Sequence, residues 1–507
     1  MKAHLLYRDR DLDLGAPEPP GSADLVQDLE LETLLAAMAR GDAYLNDVAR
    51  RAILAGLDDP AAVRYRQAIL ADGLAHPGLL SELYLLAVET IEAEKRIWGG
   101  FGLSAQSVLR RSVQALELFA GQLRRLRAIA DQRAREVESE GLRTFFAMLQ
   151  DQLDDAYLAG VDEHIERLRF RYGVALSARL GPANRGADYV LRTPRRRRPS
   201  LRERIGLGDG KSYVYQVPDR DEAGFAALSA IEERGLGLAA DALARSTDHI
   251  LDFFRLLRAE LGVYVGWLNL QARLTELRAP TCLPEPLAPG QLDLETAGLY
   301  DPCLLLVSGQ AVVGNDVAAP GRALIVVTGA NRGGKSTFLR SLGLAQLMLR
   351  AGCFVAASSF RADLRTSLFS HFRREEDSSL QSGKFDEELV RMRAIVDHLD
   401  GGSLLLLNES FAATNEREGS EIARQVVHAL LERGVKVCFV THMFDLADGF
   451  WREGRPDALF LRAERRPDGT RTFRLVEARP LPTSFGQDVY RRVFDLPREA
   501  AVVPGGG

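Results

Sequence analysis

The stretch Ala323-Leu-Ile-Val-Val-Thr328 runs straight into Gly329-Ala330-Asn331-Arg332-Gly333-Gly334-Lys335-Ser336-Thr337, and the segment FLRSLGLAQLMLRAG follows. The first run is apolar and β-branched, the pattern of a strand buried on both faces. The second is G-x-x-x-x-G-K-[ST], and the third has helical character, so the motif stands in the strand–loop–helix context that it needs. Its glycines let backbone N–H groups turn inward around phosphates, and the helix N-terminus adds its dipole. In that setting Lys335 is expected to reach the β- and γ-phosphates of ATP, and the Ser336 hydroxyl to hold Mg2+. The lysine is informative because only six of the 65 basic residues are lysine: Lys2, Lys95, Lys211, Lys335, Lys384 and Lys436.

A phosphate loop of this kind needs a second buried strand ending beside the metal. Ser403-Leu-Leu-Leu-Leu407-Asn408-Glu409 fits, with Asn408 73 residues after Lys335. Ligands of open α/β sheets sit at the C-terminal ends of the strands, where this run delivers its polar pair. Asn408 stands where an aspartate is usual. Its amide can still orient a metal-bound water, without the charge that helps to hold Mg2+. Glu409 is the candidate base for the attacking water. A third strand, Val437-Cys-Phe-Val440, ends at Thr441-His442. A histidine in that place is as readily structural as catalytic. Cys438 and His442 do not share a face as a helical metal pair would.

Around this core the chain has two textures. From about Asp24 to Arg278 it reads as helical, with long stretches over Ser104–Glu140 and Asp221–Arg278 that lack a strict heptad and suggest packed arms. Between them lies Gly181–Gly210, rich in Gly, Pro and Arg, with Thr193–Ser200 at its centre expected to be neither helix nor strand. Arg195, Arg196, Arg197 and Arg198 have two readings: a salt-dependent, sequence-blind grip on DNA phosphates, or a solvated loop. From about Gly290 short apolar runs alternate with helical segments, the mark of a parallel α/β sheet. The 507 residues allow several domains, and 46% apolar with 27% charged residues excludes a disordered or fibrous chain. The net charge of −5 confines any nucleic-acid contact to a local patch. Four dispersed cysteines, no apolar leader and no membrane-length apolar run lead to the expectation of a cytoplasmic protein without disulfides or a membrane partner.

The ordered motifs resemble the ATPase domain of the MutS DNA mismatch-repair family, an ABC-type ATPase. Val313-Gly-Asn315-Asp316 is similar to the family's V-P-N-D, and Gly329–Thr337 to its G-P-N-M-G-G-K-S-T. Gly352-Cys-Phe-Val355 resembles the segment after its helix. Thr441-His442 resembles its switch histidine, which senses the γ-phosphate. Thr483-Ser-Phe-Gly486 with Leu496-Pro497 resembles its closing block. A weaker likeness to the family's core and lever region runs through Asp28–Leu35 and Asp59–Gln67. The resemblance implies ATP and Mg2+ as cofactors, with Gly329 to Thr337 and Asn408 around the nucleotide and Lys335, Glu409 and His442 as the catalytic set. It also implies a homodimer in which the partner's signature region, here Ser382 and Gly383, completes each site. It places Arg195–Arg198 where the family grips DNA.

The departures are as specific. No mismatch-reading or connector domain has a counterpart in this sequence, and the only F-x-E, Phe385-Asp-Glu387, lies inside the ATPase. The signature segment Asp377–Glu388 is two residues shorter than the family's and lacks its serine. Ser410–Asn415 lacks the usual glycines, and the sequence ends at Gly507 without the family's bracing helices. The sequence therefore predicts an α + α/β chain: an N-terminal all-helical core and lever domain, then a C-terminal ABC-type P-loop ATPase with a mostly parallel sheet. Its expected divisions are 1–100 (start of the core), 101–285 (lever arms, basic loop 181–210) and 286–507 (ATPase). The expected function is a dimeric, ATP-hydrolysing clamp on duplex or branched DNA in repair or recombination, slow if Asn408 limits it. The alternative is a nucleotide-gated scaffold for protein or RNA with little hydrolysis.

Overall fold

The computed structural model describes residues 1–97, 104–170, 173–184, 186–192, 214–374 and 384–482. They form two compact units. The first takes Met1–His4, Gly78–Glu138 and Leu142–Leu261, the second Leu5–Pro77, Ser139–Gly141 and Gly262–Gly507.

Helices dominate the first unit. Ala105–Arg133 begins where expected, its cap Ser104 accepting from the Ser107 N–H at 3.3 Å. It ends before the predicted Glu140, and a new helix, Glu140–Gln152, follows. Between the two, the Ser139 N–H is taken by the Asp72 carboxylate at 2.9 Å, a bond that a continuous helix would forbid. The second long stretch is one helix of 55 residues, Glu222–Glu276, whose Asp221 accepts from the Gly224 N–H at 2.8 Å. Small apolar clusters join the helices, one of them around Leu109, Leu236 and Ala240. One expectation needs correcting: this half is not all-helical. Strands β1 (Ala175–Leu180) and β2 (Gly186–Arg192) pair as an antiparallel hairpin. Their faces alternate only weakly between apolar and polar residues, so the period-2 signal that marks a strand is faint there. The centre of the basic segment, Thr193–Ser200, lies outside the described residues.

The second unit is built on two sheets. Strands β3 (Glu285–Leu287), β4 (Leu294–Leu299), β5 (Asn315–Ala318) and β7 (Ser359–Asp363) form a four-stranded mixed sheet. The remaining strands are β6 (Leu324–Gly329), β8 (Leu368–Phe372), β9 (Leu404–Asn408), β10 (Lys436–Val440), β11 (Ala458–Arg465) and β12 (Arg471–Glu477). They make a six-stranded sheet in the order β12-β11-β6-β10-β9-β8, parallel except for β12. The apolar runs that predicted strands at 323–327, 403–407 and 435–440 are β6, β9 and β10, and each is buried along its length. Leu405, Leu407, Val437 and Phe439 join Phe411, Val427 and Phe450 in one core on this sheet.

The phosphate-loop helix, Lys335–Ala351, is buried on nearly all sides. Residues 5–77 contribute α1 (Ser22–Asp28), α2 (Leu31–Ala39), α3 (Ala43–Ala55) and α4 (Pro60–Ala75), of which α3 and α4 pack on this helix and α1 packs on β8. The buried Arg66 donates to the carbonyls of Leu6 and Ala351, both at 2.9 Å, and so places a cation at the negative end of the helix dipole. Gly352 at φ +83° ends the helix, with the Cys353 N–H bonded to Met348 O at 2.9 Å. At the sheet edge, the Asp28 carboxylate accepts from Ser370 Oγ at 2.8 Å and from the Phe372 N–H at 3.3 Å, occupying a ladder donor that β8 would leave open. No helix among the described residues is long and apolar enough to cross a membrane.

Leu407 is fully buried in this core. Leu407→Ala should destabilise the second unit by about 3 kcal/mol, read from a lower urea midpoint at unchanged slope.

Candidate functional site

Strand register assembles the site. Val440 pairs with Val327 on one side and with Asn408 on the other, so β9 and β10 end level and β6 runs two residues further, into the phosphate loop. The residues just beyond those ends are the phosphate loop, Thr441-His442 and Glu409, brought together from three places in the sequence. Asn331, Arg332, Gly333, Gly334, Lys335, Ser336, Thr337, Glu409 and His442 line one cavity of about 460 Å3.

The loop's backbone explains its glycines. Gly329 has φ +110°, and a Cβ there would come within 2.8 Å of the Ala463 backbone nitrogen. Gly334 (φ +90°) is the N-cap of the phosphate-loop helix. A Cβ on Gly333 would meet Ala330 O at 2.8 Å. Ala330 itself is buried. Three side-chain-bearing residues also sit in the left-handed region, Arg332 (φ +58°) in the loop and Glu409 (φ +54°) and Phe411 (φ +65°) after β9. Such conformations collect where function over-determines the backbone.

Lys335 is buried and donates to Gly329 O at 3.0 Å and Ala330 O at 3.2 Å. Burial pulls its pKa down, the Glu409 carboxylate opposes that, and the Arg471 guanidinium adds to it. Ser336 Oγ donates to Asn408 Oδ1 at 3.0 Å, joining the loop's hydroxyl to the strand that the sequence paired with it. Glu409 Oε2 lies 3.6 Å from His442 Nδ1. Each holds the other charged: the histidine lowers the glutamate's pKa, and the glutamate raises the histidine's. Among the described residues no group of three or more His, Cys, Asp or Glu side chains is placed to hold a metal. A divalent ion at Ser336 and Asn408 would therefore depend on phosphate oxygens and water for its remaining ligands.

Three contributors carry little or no sequence signal. Arg471, on β12 and 136 residues after Lys335, donates from Nε to Asn331 O at 2.8 Å and so holds the loop from behind. Asn315 accepts from the Leu475 N–H at 2.7 Å and donates to Phe473 O at 3.3 Å, tying β5 to β12. His371 on β8 is fully buried, with Nδ1 2.7 Å from Ser410 Oγ and Nε2 3.1 Å from Glu388 O, and its ring stacks on Phe411. A carbonyl can only accept, so the neutral ring carries its proton on Nε2. Of the three, only Asn315 has a signal, as part of the V-G-N-D block. Ser382, Gly383, Arg195, Arg196, Arg197, Arg198 and the closing block at 483–497 lie outside the described residues.

A model of the MutS2 N-terminal domain matches residues 58–277, and one of MutS domain V matches residues 325–502. The chain belongs to the MutS family. MutS domain V is an ABC-type ATPase domain, and its match covers the phosphate loop, β9 and β10. Endonuclease MutS2 of Thermus thermophilus is 32% identical over 192 residues, which is 36% of this chain and 25% of that protein. Endonuclease MutS2 of Geobacillus kaustophilus is 34% identical over 152 residues, 29% of this chain and 19% of that protein. The DNA mismatch repair protein MutS of Desulforamulus reducens is 30% identical over 188 residues, 34% of this chain and 21% of that protein. The chain thus matches about a fifth to a quarter of the length of these MutS relatives.

The Glu409–His442 pair exists between the lowered pKa of the acid and the raised pKa of the base. Its contribution is lost as pH rises through the histidine's raised value or falls through the glutamate's lowered one. Glu409→Gln should move the His442 midpoint down, followed by NMR of the labelled imidazole; an unmoved midpoint would refute the pairing.

Burial pushes the His371 pKa down to about 4. Below the ordinary value near 6.5 the unfolded chain takes up the proton first, so the histidine costs stability on the order of 3 kcal/mol as pH falls to about 4. The difference in unfolding free energy between wild type and His371→Gln should change with pH across that window and be flat above it.

Proposed function

We propose that the chain binds ATP with Mg2+, hydrolyses it, and uses the nucleotide state to control a dimeric grip on duplex or branched DNA without sequence preference, in repair or recombination. The observation that carries this reading is the convergence of Lys335, Ser336, Glu409 and His442 on one cavity, with Asn408 bonded to Ser336 at its edge. In this reading Lys335 and the loop N–H groups bind the β- and γ-phosphates, and Ser336 with Asn408 holds the metal, the amide acting through water. A bound Mg2+ would neutralise charge on the phosphate oxygens. Glu409, kept ionised by His442, orients the attacking water and accepts its proton. His442 faces the γ-phosphate position and reads its presence. Ser382 and Gly383 of a second copy would complete the site, Arg195–Arg198 would contact DNA, and residues 1–100, 101–285 and 286–507 would act as core, lever and ATPase.

The neutral Asn408 favours a second reading, a nucleotide-gated scaffold for protein or RNA with weak turnover. Steady-state ATP turnover with linear, mismatched, branched and single-stranded DNA separates the two. Glu409→Gln should lower kcat by roughly 10²–10⁴-fold while ATP still binds. Lys335→Ala should lose both binding and any stimulation by DNA. Binding without turnover, and without a DNA effect, would favour the scaffold.

A further inference from the structure

The charges around the phosphate loop are unevenly distributed. Among the described residues that line the cavity, Lys335, Arg332 and the His442 that Glu409 keeps charged are cations, and Glu409 is the only carboxylate. That carboxylate is already engaged by His442 at 3.6 Å. Arg471, buried behind the loop, adds a further positive charge, donating from Nε to Asn331 O at 2.8 Å and from Nη1 to Gly469 O at 3.3 Å. It lies close enough to Lys335 to depress its pKa. On the metal side, among the described residues, the pair in contact is a hydroxyl and a neutral amide, Ser336 Oγ and Asn408 Oδ1 at 3.0 Å. Mg2+ is ordinarily held through one or two carboxylates together with substrate phosphates. This donor set accepts the ion but supplies none of the negative charge that would draw it in ahead of the nucleotide.

Arg332 is the informative residue. It sits within the loop at φ +58°, where glycine or asparagine is at ease and a long side chain is not, and it is exposed to the cavity. A guanidinium presents paired N–H donors that match two phosphate oxygens, and its charge does not titrate. Arg471 adds field without contact. Its bond to Asn331 O holds the loop in the shape that aims its N–H groups inward.

We propose that Arg332, supported by Arg471, supplies charge neutralisation that a divalent cation would otherwise provide, so that this site holds nucleoside triphosphate with little dependence on Mg2+. Arg332 is then a phosphate-contacting residue and Arg471 a positioning residue. The inference rests on the nucleotide reading given above, and extends it from which ligand binds to what holds its charge.

Equilibrium binding of a ribose-labelled fluorescent ATP analogue to the full chain, in excess Mg2+ and in excess EDTA, tests it. Wild-type dissociation constants in the two media should agree within about threefold, and Arg332→Met should raise the EDTA value about tenfold, ~1.4 kcal/mol, with a smaller change in Mg2+. Arg332→Lys should recover part of the loss. Asn408→Asp should strengthen binding in Mg2+ and weaken it in EDTA, opening a gap that the wild type lacks. A wild type that loses the analogue in EDTA overturns the proposal. So does an Arg332→Met variant that binds as wild type in both media, which makes Arg332 a solvated side chain, or one that weakens equally in both. Arg332 is exposed, so its replacement leaves the core untouched, and the outcome is read without altering the buried Arg471. Failure of the wild type to bind in either medium overturns the nucleotide reading itself, and the two failures are thereby distinct.

Discussion

The register of three parallel strands governs the rest of the second unit. β6, β10 and β9 are each buried on both faces, and Val327, Val440 and Asn408 lie abreast. A slip of one residue would turn every side chain of a strand to the opposite face. It would also carry Asn408 out of reach of Ser336, or His442 away from Glu409. The packing of leucines and valines thus decides where the polar groups come to rest. The glycines of the loop, the left-handed backbone at Glu409 and the clamp from Arg471 refine a placement that the sheet has already made.

Electrostatics in this site runs against what burial alone would select. Lys335 is desolvated and donates to two carbonyl oxygens, a costly state for a cation that an incoming anion relieves. Glu409 and His442 instead stabilise one another's charge, so the acid beside the loop stays ionised despite being half-buried. The cavity therefore combines an unneutralised positive end at the loop with a compensated pair opposite. That is the polarity an anionic ligand with a water on its far side requires.

Local patterns and long-range pairings differ in how legible they are. The phosphate loop, β6, β9, β10 and the helix over 222–276 can be read because each is a continuous run with its own period or motif. Lys335, Ser336, Asn408, Glu409 and His442 can be grouped because strand ends of an α/β sheet share an edge. The hairpin β1–β2 escapes such a reading because its residues alternate only weakly, and the break between Arg133 and Glu140 because the Ser139 N–H within it donates to the distant Asp72. Arg471 and His371 carry no motif. Each matters through a partner more than 30 residues away, and a linear reading has no term for that.

Residues 5–77 cover the phosphate-loop helix, yet about 250 positions separate them from β6 in the chain. A ribosome adding roughly 5–20 residues per second needs about 10–50 s to make that interval. During that time the faces of α1, α3 and α4 that will meet β8 and the phosphate-loop helix stay uncovered, and Arg66 waits for its acceptor Ala351 O. The second unit of this protein is thus a discontinuous folding unit whose first segment must wait for its last. Its yield in a cell is then set by how well that segment is kept from other surfaces meanwhile.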